Sequence, residues 1–314
     1  MTEKWASVSK KYPCPICSNT QWCMVSKDGQ AVLCHRVQSN RPTATGWVHK
    51  LGDDKPVYIP QPSIKNDVPK ANPETLNQTY NALLSSLTLY QRHKDNLLQR
   101  GLTESQITSL NYKSMPESER YDVIRELARQ GIQLGGVPGF WIDDNNNPRL
   151  AGQSGICIPV RDTQGWITGI QIRCDDTTGG KYKWLSSAKY RQGCGSGTSI
   201  HVAIPPGANN KEVWITEGPL KADICSLKLN RIFIAVPGVS NWIGTIPYID
   251  VLKPIRLIIA YDSDKYSKPE VKLNERLLID HLKKKHYRVR IANWNPKYKG
   301  LDDLLTIGDV GWNI

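Results

Sequence analysis

Val213-Trp-Ile-Thr-Glu-Gly-Pro-Leu-Lys-Ala-Asp223 is the stretch on which the reading of this chain turns. A β-branched and aromatic run ends in an acid and a glycine, and a proline then opens a helical segment, the order of a strand feeding a helix. The same order returns downstream. Leu257-Ile-Ile-Ala-Tyr261 runs into Asp262-Ser263-Asp264, and Arg288-Val-Arg-Ile-Ala292 is followed by Lys299-Gly300-Leu301-Asp302-Asp303. Helices are predicted over 219–229, 242–252 and 269–285, with a further strand at Ile232-Phe-Ile-Ala-Val236. Single strands alternating with single helices imply right-handed crossovers and a parallel sheet covered on both faces. The acids then sit just beyond the strands, where open α/β sheets build their sites. Side chains alternate along a strand, so Asp262 and Asp264 face the same way. Together with Glu217 they repel one another unless a cation neutralises them, and hard oxygen donors with open positions suit Mg²⁺ or Mn²⁺ shared with substrate phosphates.

Upstream of this core the period changes. Gly155-Ile-Cys-Ile-Pro-Val160 and Trp166-Ile-Thr-Gly-Ile-Gln-Ile-Arg173 read as strands joined by a turn at Asp162-Thr-Gln-Gly165, and Ile200-His-Val-Ala-Ile204 as a third. Between Glu74 and Gly135 the pattern is helical: Tyr80, Leu83, Leu84 and Leu87 recur near 3.6 residues, Gly101 stops a second segment, and Thr103 caps a third. Five prolines between Pro56 and Pro73, in polar surroundings, read as an extended tether.

The N-terminus carries different chemistry. Of eight cysteines, Cys14, Cys17, Cys23 and Cys34 crowd into one short interval. Cys14-Pro-Ile-Cys17 is a knuckle that brings two thiolates to one tetrahedral Zn²⁺, and Cys23 and Cys34 supply the second pair across a hairpin through Lys27-Asp-Gly-Gln30. His35 is the rival to Cys34 for the fourth position. So short a segment depends on the metal for much of its stability.

Composition bounds the partners. The chain has 314 residues, 41 Lys and Arg against 29 Asp and Glu, and a formal charge of +12. Its longest apolar runs fall far short of the ~18 residues that span a bilayer, and the start lacks the apolar stretch of a secretory signal. Membrane and secreted classes are thus not the first choices, and nucleic acid is the first partner expected. Much of the positive charge collects between Lys265 and Lys299, with Lys283-Lys-Lys285 closing a predicted helix, so it is not all at the acidic site.

The order Glu217-Gly218, then Asp262-Ser-Asp264, then Lys299-Gly-Leu-Asp302-Asp303 resembles the TOPRIM fold shared by primases, topoisomerases and some nucleases. Glu217-Gly-Pro-Leu-Lys221-Ala-Asp223 is similar to the TOPRIM segment of mobile-element primases. Cys14-Pro-Ile-Cys17, Trp22-Cys23, Ser26-Lys-Asp-Gly29, Cys34 and Gly46-Trp-Val-His49 resemble the zinc ribbon heading many phage and plasmid primases, differing in that no second cysteine closely follows Cys23. Gly155–Val160, Ile170–Arg173 and Lys181-Tyr-Lys-Trp184 resemble the small subdomain preceding TOPRIM in primases, and His93–Leu102 with Val137-Pro-Gly-Phe140 its linker region.

The resemblance implies a DNA primase of a phage, plasmid or similar mobile element. Glu217, Asp262 and Asp264 hold catalytic metal with Asp302 or Asp303 completing the site, and Lys221 faces nucleotide phosphates. Arg173, Lys181 and Lys183 line the groove for template and incoming NTP. It implies an α/β fold with residues 1–52 as zinc-binding ribbon, 53–73 as flexible linker and 74–150 as helical linker region. Residues 151–210 form a small β-rich part of a mixed α+β subdomain, and 211–314 the TOPRIM catalytic domain with its parallel sheet flanked by helices. Single-stranded DNA is the expected template, and no Gly-x-x-x-x-Gly-Lys-Ser/Thr occurs, so a helicase partner is a separate protein. The alternatives are a TOPRIM nuclease or topoisomerase-like enzyme, and a non-catalytic single-stranded-DNA-binding replication factor.

Overall fold

The computed structural model describes residues 5–9, 12–51, 68–118, 120–263, 267–308 and 312–313. Most of the expected linker, through residue 67, and the predicted ligand Asp264 lie outside the described residues. The chain divides into two compact units, Met1–Lys65 and Asn66–Ile314.

In the first unit β1 (Trp5–Ser7), β2 (Met24–Ser26), β3 (Ala31–Cys34) and β4 (Trp47–Lys50) form an antiparallel sheet in sequence order. The expected hairpin joins β2 to β3. Asp28 stiffens its turn by accepting the Ser26 hydroxyl at 2.5 Å and the Gln30 N–H at 3.0 Å. The buried core is Val8, Val25, Val32 and Leu51 together with Cys14, Cys23 and Cys34. Nearly half of that core is thiol, which leaves too little apolar surface to offset the ordering of the chain without another source of stability.

The second unit opens with α1 (Pro73–Ser85), α2 (Gln91–Gln99), α3 (Glu104–Ser109), β5 (Lys113–Met115) and α4 (Arg120–Arg129). Asn72 caps α1 by accepting the Thr75 N–H at 2.9 Å, and Thr103 and Gln106 form a reciprocal capping box on α3. A hairpin of β6 (Phe140–Ile142) and β7 (Pro148–Leu150) leads into β8 (Gly155–Arg161), β9 (Ile167–Cys174) and β10 (Tyr182–Trp184). The segment read as helical therefore also contributes strands: β5 pairs antiparallel with β8 and completes the sheet β10-β9-β8-β5. Three residues are too few to show a two-residue period. Tyr80, Leu83 and Leu84 of α1, with Ile124 and Leu127 of α4, bury against Ile170 and Ile172 of β9.

The remainder runs β11 (His201–Ala203), β12 (Glu212–Glu217), α5 (Pro219–Leu229), β13 (Ile232–Val236), α6 (Ile246–Leu252), β14 (Arg256–Ile259), α7 (Pro269–Lys284), β15 (Arg288–Ile291) and α8 (Leu301–Ile307). The sheet order is β11-β13-β12-β14-β15. β12 to β15 are parallel as expected, and β11 joins them antiparallel to β13. β11 was expected with the small β-rich segment; alternation shows that a strand exists, not which sheet receives it. Both faces are covered as expected. Ile249, Leu252, Leu278 and Leu282 pack on one side, and Ala222, Cys225, Leu301 and Leu304 on the other, around Trp214, Phe233 and Ile258.

A buried polar network ties α5 to the smaller sheet. Asp223, 3% exposed, accepts the Tyr112 hydroxyl at 2.5 Å and faces His201 Nε2 at 3.0 Å. The Arg161 backbone N–H donates to His201 Nδ1 at 3.0 Å, which leaves Nε2 as the protonated nitrogen donating to Asp223. Burial and the neighbouring Asp223 carboxylate push the Tyr112 phenol well above its ordinary range. Asp223→Ala strands two buried donors, so a loss of about 2–4 kcal/mol is expected in urea unfolding. An unchanged midpoint would show that the network does not hold the two layers together.

Candidate functional site

In the first unit the sulfurs of Cys14, Cys17, Cys23 and Cys34 all lie within 4.8 Å of one another. Cys17 and Cys23 are 3.6 Å apart and Cys23 and Cys34 3.9 Å. A tetrahedron with Zn–S bonds of about 2.3 Å has edges of about 3.8 Å. His35 is not part of the group; its fourth member is Cys34. Burial raises the Cys14 thiol and takes Cys23 to about 12, whereas Cys17, against its burial, is drawn down to about 7 by the Asn19 backbone N–H and the neighbouring thiols. Sulfurs this close cannot all ionise without a cation, and the donor set and spacing suit Zn²⁺. The Val37 N–H donates to Cys34 Sγ at 3.4 Å and Arg36 to Cys23 Sγ at 3.6 Å, both of which favour thiolate. Trp22 is 69% exposed, while Trp47 is half-buried in β4 opposite Cys34.

In the second unit the strand-ending acids meet in a cleft of about 370 Å³. Glu217 ends β12. Gly218 turns the chain at φ +77°, donates its N–H to Val236 O at 2.9 Å, and lets α5 start at Pro219. Asp262 follows β14, and its backbone N–H donates to Glu217 Oε1 at 3.2 Å. Lys221, one turn into α5, forms an ion pair with Asp262, and each side chain is only 12% exposed.

α8 brings the third acidic pair. Asp303 accepts the Gly300 N–H at 3.1 Å and so caps its own helix. Asp302, 6% exposed, has Oδ2 at 3.5 Å from Arg100 Nη1, while its Oδ1 is buried with no partner among the described residues. A side chain at Gly300 would place its Cβ 2.3 Å from that oxygen and 3.0 Å from Lys221 Nζ. The acids are carboxylate oxygens beside one unsatisfied buried oxygen, a donor set that suits a hard divalent cation. Two of them carry an internal cation instead, Lys221 on Asp262 and Arg100 on Asp302. Among the described residues the four cysteines are the only group of three or more His, Cys, Asp or Glu whose donor atoms all lie within 4.8 Å of one another.

Arg100, Lys181 and Lys299 line the cleft with the acids. Burial, then Arg173, Arg100 and Lys299, lower the Lys181 pKa, so these cations crowd one another and favour an anion among them. Arg173 lies beside the Tyr182 phenol, with its Nε buried and unpartnered among the described residues. Lys183 does not line this cleft; with Trp184 and Tyr190 it lines a separate one. Arg100 was not anticipated. Its local signal, a helix stopped by Gly101, says nothing of the pairing with Asp302 across the unit.

Residues 208–309 match the family described as a domain of unknown function, DUF3854. No curated protein matches the chain by sequence. Solved structures match more widely. The zinc-binding and RNA polymerase domains of the Aquifex aeolicus primase align over 94% of this chain and 75% of that one, at 13% identity and a TM-score of 0.56. The RNA polymerase domain of Mycobacterium tuberculosis primase DnaG aligns over 76% and 82%, at 14% identity and 0.58, and a Pseudomonas aeruginosa DNA primase domain over 74% of each chain, at 12% and 0.54. At such identities the likeness is one of fold: the chain has the mixed α/β architecture of primase zinc-binding and RNA polymerase domains. No helix among the described residues is long and apolar enough to cross a membrane.

Proposed function

We propose that the chain is a TOPRIM-type primase that makes short primers on single-stranded DNA, with NTPs as substrates, for replication of a phage, plasmid or other mobile element in a bacterial cytoplasm. The observation that carries this reading is the cleft in which strand-ending acids face Arg100, Lys181 and Lys299 within a primase-like fold. Glu217, Asp262, Asp264 and Asp302 are the residues proposed to hold Mg²⁺ or Mn²⁺. Bound there, the ion supplies charge neutralisation to the phosphate oxygens at which negative charge develops. Asp303 is assigned to capping α8. Arg100, Lys181 and Lys299 bind the triphosphate, with Arg173 behind them orienting Tyr182. The attacking group is the 3′-hydroxyl of a primer or initiating nucleotide, and pyrophosphate leaves. The thiolate cluster holds structural Zn²⁺ and its unit grips template. A replicative helicase is a separate partner.

The experiment is synthesis from labelled NTPs on single-stranded DNA. Retained synthesis after Asp262→Ala with Asp264→Ala removes the assigned site. Metal-dependent cleavage of DNA without NTPs favours a nuclease or topoisomerase-like enzyme, and salt-sensitive DNA binding with no synthesis favours a binding factor. Gly300→Ala is a finer check. Its methyl meets the side-chain ends of Asp302 and Lys221. We expect a stability loss below about 1.5 kcal/mol but synthesis reduced about 10–100-fold through misplaced side chains. Parallel melting and primer-yield measurements separate the two effects.

A further inference from the structure

We propose that Lys221 is a resident counter-ion of the acidic cleft, which gives up Asp262 when a divalent cation binds and then turns to substrate phosphate. This inference rests on the proposed reading of the cleft as a metal-assisted site.

Three observations lead to it. Lys221 does not stand open to the cleft as a phosphate-binding lysine at rest would. Its ammonium is paired with Asp262, and both side chains are largely buried. Asp262 is also joined through its backbone N–H to Glu217, so the carboxylate that Lys221 covers belongs to the pair at the strand ends. Finally, the stem and ammonium of Lys221 lie over Gly300, close to the orphaned Oδ1 of Asp302, where a Cβ would be 2.9 Å from Lys221 Cε and 3.0 Å from its Nζ. The ammonium therefore sits against the two acidic segments that a bound cation would draw together.

The physical consequence is competition. A half-enclosed carboxylate beside other carboxylates needs positive charge, and without metal Lys221 supplies it. A divalent ion that takes Asp262 as a ligand makes this pairing redundant and sets two cations against each other. Lys221 is rooted in the first turn of α5, so only its four-carbon stem has to move. Once displaced, the ammonium remains in the cleft beside the bound metal, where an anionic triphosphate relieves the excess charge. Metal and phosphate binding are then favourably coupled through a single side chain, and an empty cleft holds metal weakly.

Mn²⁺ binding tests this directly. The full chain, with its zinc retained, is titrated with Mn²⁺ alone and free ion is read by electron paramagnetic resonance, for the wild type and for Lys221→Met. Asp262→Asn in each background marks the site. The variant is expected to bind Mn²⁺ about tenfold more tightly. Mn²⁺ is also expected to raise its melting temperature more than that of the wild type. If Lys221→Met does not fold, Lys221→Gln, which is shorter and uncharged but keeps a hydrogen-bond donor, carries the same comparison. Affinity that is unchanged or weaker without Lys221, but still lost on Asp262→Asn, overturns the exchange and leaves the site reading intact. Mn²⁺ binding indifferent to Asp262→Asn in both backgrounds overturns the site reading along with it.

Discussion

Asp262→Asn is expected to lower template-dependent synthesis by about 10³-fold while moving the melting temperature little. The substitution keeps size, shape and the backbone N–H that reaches Glu217, so the turn after β14 is undisturbed. It removes the negative charge that Lys221 now neutralises and that, in the proposed mechanism, anchors metal. Two effects on stability oppose each other. Lys221 loses a partner in a partly enclosed site, but the repulsion between Asp262 and Glu217 disappears, so a net change within about 1 kcal/mol is expected. Primer yield and a calorimetric melt on the same preparation decide the matter. A loss of activity that merely tracks unfolding, or a loss below tenfold, contradicts a direct role for Asp262.

Removing the thiolate cluster is expected to unfold the first unit and leave the second standing. That unit's core has only Val8, Val25, Val32 and Leu51 apart from its cysteines. Structural zinc in comparable small folds is worth about 10–16 kcal/mol, far more than four apolar side chains return. The second unit has separate cores on both sides of its five-stranded sheet, and none of them uses Cys14, Cys17, Cys23 or Cys34. Cys23→Ser, or a strong chelator, should expose roughly the first 50 residues to protease and release zinc. The Asn66–Ile314 unit should keep its melting transition and its Mn²⁺ binding. If the cluster serves template engagement, synthesis falls with it, while the carboxylate cleft still binds metal. Unchanged protease resistance after zinc release removes the metal from the stability of this unit.

The two experiments separate parts of the chain that were legible to different degrees. The clustering of Cys14, Cys17, Cys23 and Cys34 was legible in the sequence, because metal ligation demands particular residue types at short spacing, and in the structure Cys34 and not His35 joins that group. The strand-to-acid junctions at Glu217 and Asp262 were equally visible, since burial on both faces makes the strands continuous apolar runs that stop abruptly at polar residues. β5 and the direction of β11 were not visible. Short strands carry no period, and a strand's partner depends on which edge the rest of the fold leaves open.

The acidic cleft marks the same boundary. Residue order alone determined a two-part chain with a thiolate ribbon and an α/β core whose acids cluster at strand ends, because secondary structure and ligand chemistry are written in local spacing. Only the tertiary structure decided that Lys221 pairs with Asp262, that Arg100 reaches Asp302 and that Lys183 lines a separate cleft. These are contacts between segments far apart in the chain, or the choice of which cleft a side chain lines. Charge neutralisation in an enclosed cleft depends on distances that sequence spacing does not contain.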